Sequence, residues 1–154
     1  MRSTHPIVLA CTAALLAVTV GSGPARSAVV HQQTHAALQT DGRSSAVTVD
    51  EALWLVRQDA VVLIDVRESW MFERAHLPGA VSMPLDELAA RAEELRAWRK
   101  PVVVYCCSQG GVASDEAVAI LRGLGFQDVH AIAGGFQSWV NAGFVVEVPP
   151  GDGD

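Results

Sequence analysis

Two short runs, Val61 to Ile64 and Val102 to Tyr105, constrain the fold more than anything else in this chain. Each is continuous, apolar and largely β-branched, without the alternation of a strand that is wetted on one face. Such strands must be covered on both sides, as they are in a parallel sheet. Shorter candidates are Val47 to Val49, Val81 to Met83 and Val129 to Ile132, with helical patterns between them. Asp50 is placed to cap a helix carrying Leu53, Trp54 and Val56, and Leu88, Ala92 and Leu95 mark a second helix. A third is expected from Ser114 onward, with Ala117, Ile120, Leu121 and Leu124 on one face, Asp115 and Glu116 in its first turn and Gly125 after its end. Strands alternating with helices predict an α/β fold with a largely parallel central sheet and helices on both faces. In such sheets ligands bind where strand C-termini meet helix N-termini.

Composition narrows the class further. Half of the 154 residues are hydrophobic, 18% are charged and the net charge is −6, which fits neither a disordered acidic polymer nor a basic nucleic-acid module. The positive mean hydropathy, +0.26, is unevenly spread. Arg2, an apolar stretch from Ile7 to Val20 and the small residues Gly21 to Pro24 follow the order of a secretory leader, with cleavage expected after Ala25 or Ser27. The stretch is shorter than the roughly 20 apolar residues of a membrane span. Residues 1–27 are therefore expected to be a signal peptide, 28–45 a linker, 46–148 the folded domain and 149–154 a flexible tail. The protein is expected to be periplasmic or extracellular, with no stable membrane span after cleavage and a membrane anchor only if the leader stays.

Loss of the leader removes Cys11 and leaves the adjacent pair Cys106 and Cys107. Neighbouring Cα atoms lie about 3.8 Å apart, below the roughly 4.4–6.8 Å of ordinary disulfides, so reactivity or packing explains the pair better than cross-linking, apart from a strained vicinal bridge. Both follow the more hydrophobic strand. After them run Ser108, Gln109, Gly110, Gly111, Val112 and Ala113, where paired glycines let backbone N–H groups turn inward and form an anion cradle at the start of the next helix. A thiolate held there is a nucleophile. The alternative is a cysteine that serves only as a small buried hydrophobe.

The order and spacing of Leu63-Ile64-Asp65-Val66-Arg67-Glu68, Phe72-Glu73-Arg74-Ala75-His76-Leu77-Pro78-Gly79-Ala80, Val102-Val103-Val104-Tyr105-Cys106, Leu124-Gly125-Phe126 and Gly134-Gly135-Phe136 with Trp139 resemble the rhodanese (thiosulfate sulfurtransferase) family over about a hundred residues. The resemblance implies a rhodanese-like fold and a nucleophile at Cys106. It also implies attack on the sulfane sulfur of a thiosulfate-like donor, a persulfide, and transfer to a thiol or cyanide by ping-pong catalysis, with no cofactor. The backbone N–H groups of residues 107–113 would meet the charge of departing sulfite. Two departures stand out. The loop is two residues longer than the common Cys-x-x-Gly-x-Arg-Ser form, and no Arg or Lys lies between Lys100 and Arg122. The second departure removes the usual cationic contact and excludes a Cys-x5-Arg phosphatase.

Cys107 is a bystander, a resolving thiol or the nucleophile itself. Arg67 is expected to pair with Glu68 or Glu73 more readily than to touch substrate. Asp65, His76, Gly79, Gly134, Gly135 and Trp139 are expected to serve the scaffold, and the scattered histidines lack metal-ligand spacing. Three functions follow: an exported sulfurtransferase, a non-catalytic rhodanese-like binding module with a protein partner, and a thiol-redox protein using both cysteines.

Overall fold

A computed structural model describes residues 46–107 and 112–149; the expected leader, the linker, Cys11, Ser108, Gln109, Gly110, Gly111 and residues 150–154 lie outside the described residues. The strands are β1 (Ala46–Val47), β2 (Val62–Asp65), β3 (Val81–Ser82), β4 (Val102–Tyr105) and β5 (Val129–Ile132). They form one sheet in the order β1-β5-β4-β2-β3, and every pairing is parallel. The two apolar runs fall on neighbouring central strands, the first strand displaced by one residue from the run Val61 to Ile64, with register from Val62 opposite Val102 to Asp65 opposite Tyr105. All four residues of each strand are buried, as strands covered on both faces require.

The helices are α1 (Val49–Arg57), α2 (Ser69–Arg74), α3 (Leu88–Trp98), α4 (Val112–Gly123) and α5 (Gly135–Asn141). One face of the sheet, carrying Val62, Ile64, Val102 and Val104, is covered by Leu88, Ala92 and Leu95 of α3 and Ala117, Val118 and Leu121 of α4. The other face, carrying Leu63, Val103 and Tyr105, is covered by Ala52 and Leu55 of α1 and by Trp139 of α5. Trp139 is fully buried there, and its indole N–H donates to Val145 O at 2.9 Å.

Several expected boundaries shift. Thr48, not Asp50, caps α1: its hydroxyl accepts from Glu51 N at 3.2 Å while the Glu51 carboxylate accepts from Thr48 N at 2.8 Å, a reciprocal capping box. Val49 consequently belongs to the helix, and the buried face of α1 is Ala52 and Leu55, with Trp54 exposed. Helix α4 starts at Val112, two residues before Ser114, so Val112 and Ala113 belong to its first turn and not to a loop. Its N–H groups there still lack partners inside the helix, as in any helix start. Leu124 lies past the end of α4 and is exposed.

His130 on β5 is buried, and its Nδ1 has no hydrogen-bond partner among the described residues. Burial, with the Arg122 charge adding, holds its pKa below the ordinary value of 6.5, against a weaker opposing effect of Asp128. The unfolded chain therefore binds a proton on His130 before the folded one does, and stability falls as pH drops below about 6.5. Two measurements check these features by urea unfolding. Thr48→Ala is expected to lower stability by about 1 kcal/mol. His130→Gln is expected to lose less stability than the parent between pH 7.5 and 5.5.

Candidate active site

The C-termini of β2 and β4 open side by side, and the chain leaves them toward α2 and α4. At the end of β2, Asp65 is fully buried. Its carboxylate accepts from Arg67 N at 3.0 Å, from Arg67 Nε at 2.9 and 3.1 Å, from Arg67 Nη2 at 2.6 Å and from the Tyr105 hydroxyl at 2.6 Å. The Tyr105 oxygen in turn accepts from Leu77 N at 3.2 Å, and Arg67 Nη2 also donates to Ala75 O at 2.8 Å. The guanidinium lies over Phe136, 4.2 Å from the ring centre. Burial alone would push Arg67 toward the neutral form, but the hydrogen bond and charge of Asp65 outweigh it and its pKa is raised. Burial, together with the charge and hydrogen bond of Asp65, raises the Tyr105 pKa well above its ordinary value, so the phenol stays a donor. Arg67 thus pairs with Asp65, not with Glu68 or Glu73 as the sequence suggested. Asp65 is two residues away and already buried, so the pair needs no long side-chain excursion.

Cys106 is the first residue after β4 and is buried, and its Sγ lies 3.2 Å from Ser114 Oγ in the first turn of α4. The hydroxyl can rotate to donate to the sulfur. The backbone there is held from the far side: Phe136 N donates to Cys106 O at 2.8 Å and Gln137 N to Cys107 O at 3.0 Å. Those amides belong to the start of α5, which the left-handed Gly134 and Gly135 (φ +73° and +56°) turn beneath β4. Cys107 is exposed, with its Sγ 3.7 Å from Met71 Sδ, and neither cysteine is part of a disulfide.

Cys106, Cys107, Arg67 and Ala113 share one cavity of about 670 Å³. Val66, Leu85, Ala89 and Ile120 give it apolar walls, and the acidic residues Glu68, Asp86 and Glu116 also line it. The remaining expected residues among those described do not line it. His76 stacks on Phe72, with ring centres 3.7 Å apart, and binds Phe72 O through Nδ1 at 2.9 Å and the Glu147 carboxylate through Nε2 at 3.1 Å. Gly79 (φ +74°) makes the turn before β3, and Val112 is exposed. The sequence did not single out Ser114 as a partner for sulfur, although a hydroxyl eight residues after Cys106 at a helix start was a usable signal. Nor did it reveal Phe136 under Arg67 or the three carboxylates, which converge from separate elements.

A family model described as the rhodanese-like domain matches residues 48–142. The uncharacterized protein YqhL of Bacillus subtilis is 43% identical over 77 residues, which are 50% of this chain and 59% of that one. The thiosulfate sulfurtransferase GlpE of Pseudomonas syringae is 38% identical over 84 residues, covering 54% of this chain and 76% of that one. Among solved structures, a rhodanese-related protein from Thermoplasma volcanium superposes with a TM-score of 0.60 at 25% identity, over 67% of this chain and 97% of that one. Asp65→Asn is expected to destabilise the domain by about 3–5 kcal/mol in urea unfolding, because it leaves a buried guanidinium without its counter-charge. Tyr105→Phe, which removes a donor to Asp65 and the acceptor of Leu77 N, is expected to cost about 1–3 kcal/mol.

Proposed function

The chain belongs to the rhodanese-like domain family, and we propose that it is an exported single-domain sulfurtransferase working through a persulfide on Cys106. One observation carries this: a thiol at the end of the central strand, 3.2 Å from a helix-borne hydroxyl, lines an open cavity. The Cys106 thiolate attacks the outer sulfur of a thiosulfate-like donor. A bond from Sγ to that sulfur forms, the donor S–S bond breaks, and sulfite leaves with the electron pair. In the second half, a thiol or cyanide attacks the bound sulfur and the Cys106 thiolate departs, completing a ping-pong cycle. The first turn of α4, the positive end of the helix dipole, supports charge at the sulfur and on the leaving group. The GlpE relatives, named thiosulfate sulfurtransferases, support the same chemistry.

Arg67, engaged by Asp65 and Ala75, keeps the loop in shape, and Asp65, His76 and Trp139 act through structure. The second reading, a non-catalytic binding module, is favoured by the lack of an uncommitted cation among the cavity residues described. Incubation with thiosulfate or a neutral organic persulfide, followed by alkylation and mass spectrometry, separates the two. Sulfur is expected on Cys106 and should be discharged by cyanide or thiol. Cys106→Ser should abolish turnover and Cys107→Ser should retain it. Full turnover by Cys106→Ser would end the assignment, while loss of two hydrogens across both cysteines in place of added sulfur favours the redox reading. Export is tested by N-terminal sequencing of the secreted protein, with cleavage expected after Ala25 or Ser27.

A further inference from the structure

The cavity that holds Cys106 is negatively charged, where a site built for a sulfur dianion should be positive. Glu68 follows β2, Asp86 precedes α3 and Glu116 lies on α4, so three elements each contribute an acidic residue to the cavity lining. All three are exposed, and none forms an ion pair among the described residues. Among the described residues, the one cation lining the cavity is Arg67, whose charge is already matched by Asp65 at 2.6 Å. In sequence, no Arg or Lys occurs between Lys100 and Arg122. The space is roomy, about 670 Å³, and its walls at Leu85, Ala89 and Ile120 are apolar. A compact dianion gains nothing from such walls and is repelled by the carboxylates.

We propose that this site selects sulfur substrates by positive charge: thiols and organic persulfides in which a short carbon skeleton joins the reacting sulfur to an ammonium group. Glu68, Asp86 and Glu116 are its specificity determinants. The inference rests on the persulfide chemistry proposed above and changes its substrate class. With a persulfide donor R–S–SH, the Cys106 thiolate attacks the terminal sulfur, a bond from Sγ to that sulfur forms and the donor S–S bond breaks. R–S⁻ leaves with the electron pair and the proton stays on the transferred sulfur. In the reverse sense, R–S⁻ takes the sulfur and releases the Cys106 thiolate. The skeleton lies along the apolar walls while the ammonium group meets the carboxylates.

The charge can be measured apart from turnover. In a Cys107→Ser background, Cys106 is modified with trimethylammonioethyl methanethiosulfonate and with its sulfonatoethyl analogue, and the ratio of rates is divided by that for free 2-mercaptoethanol. A normalised preference for the cation of at least about tenfold is expected at low ionic strength. It should fall toward unity at about 1 M salt, where the Debye length is near 3 Å. It should also fall in the combined Glu68→Gln, Asp86→Asn, Glu116→Gln variant. Discharge of the Cys106 persulfide should be correspondingly faster with cysteamine than with 3-mercaptopropionate. A normalised ratio at or below one in the parent overturns the proposal, as does a preference that survives both salt and the triple substitution. Failure of every donor to load Cys106, with the reagent preference intact, removes the sulfurtransferase reading and the persulfide substrate class with it, leaving a cation-selective thiol.

Discussion

The Asp65 carboxylate is the point on which the rest of the site hangs. It is fully buried, and it collects the backbone and guanidinium of Arg67 together with the Tyr105 hydroxyl. Through Tyr105 it also reaches Leu77 N, and through Arg67 it reaches Ala75 O. One acid thus fixes the end of β2, the end of β4 and the segment between α2 and β3. A buried charge is tolerable only when its lone pairs are filled, and here four N–H and O–H groups fill them. The same arrangement makes Arg67 part of the framework and removes it as an anion receptor.

Much of this was legible in the sequence, and unevenly so. Val61 to Ile64 and Val102 to Tyr105 announced buried parallel strands because continuous, largely β-branched runs have few other stable settings. Cys106 could be placed at a strand end for the same reason. Helix starts were less legible. Thr48 and Asp50 are both good caps, and only the reciprocal bond with Glu51 decides between them. At α4, the eye is drawn to Ser114 as a cap, whereas the chain turns helical at Val112 and gives the hydroxyl to sulfur. The partner of Arg67 was misjudged because sequence shows which carboxylates are near but not which one is buried. The three cavity carboxylates belong to segments far apart in sequence, and only the fold brings them together.

On the proposed function, the cavity would separate two tasks that a single arginine could have combined. Support for charge on sulfur would fall to helix α4 and Ser114, whose effect is confined to the first turn. On the proposed selectivity, discrimination among substrates would fall to the acidic residues of the lining, which act over longer distances and respond to salt. Either could then change without the other.

Phe136 N and Gln137 N grip the carbonyls of Cys106 and Cys107. The backbone that carries the Cys106 thiol is therefore tied to the start of α5 as well as to β4. Neither element includes Ser108 to Gly111, where the sequence is two residues longer than the common loop form. In evolutionary terms, the mount of the thiol and the length of that stretch are written in separate parts of the gene, so a change in one leaves the residues of the other untouched.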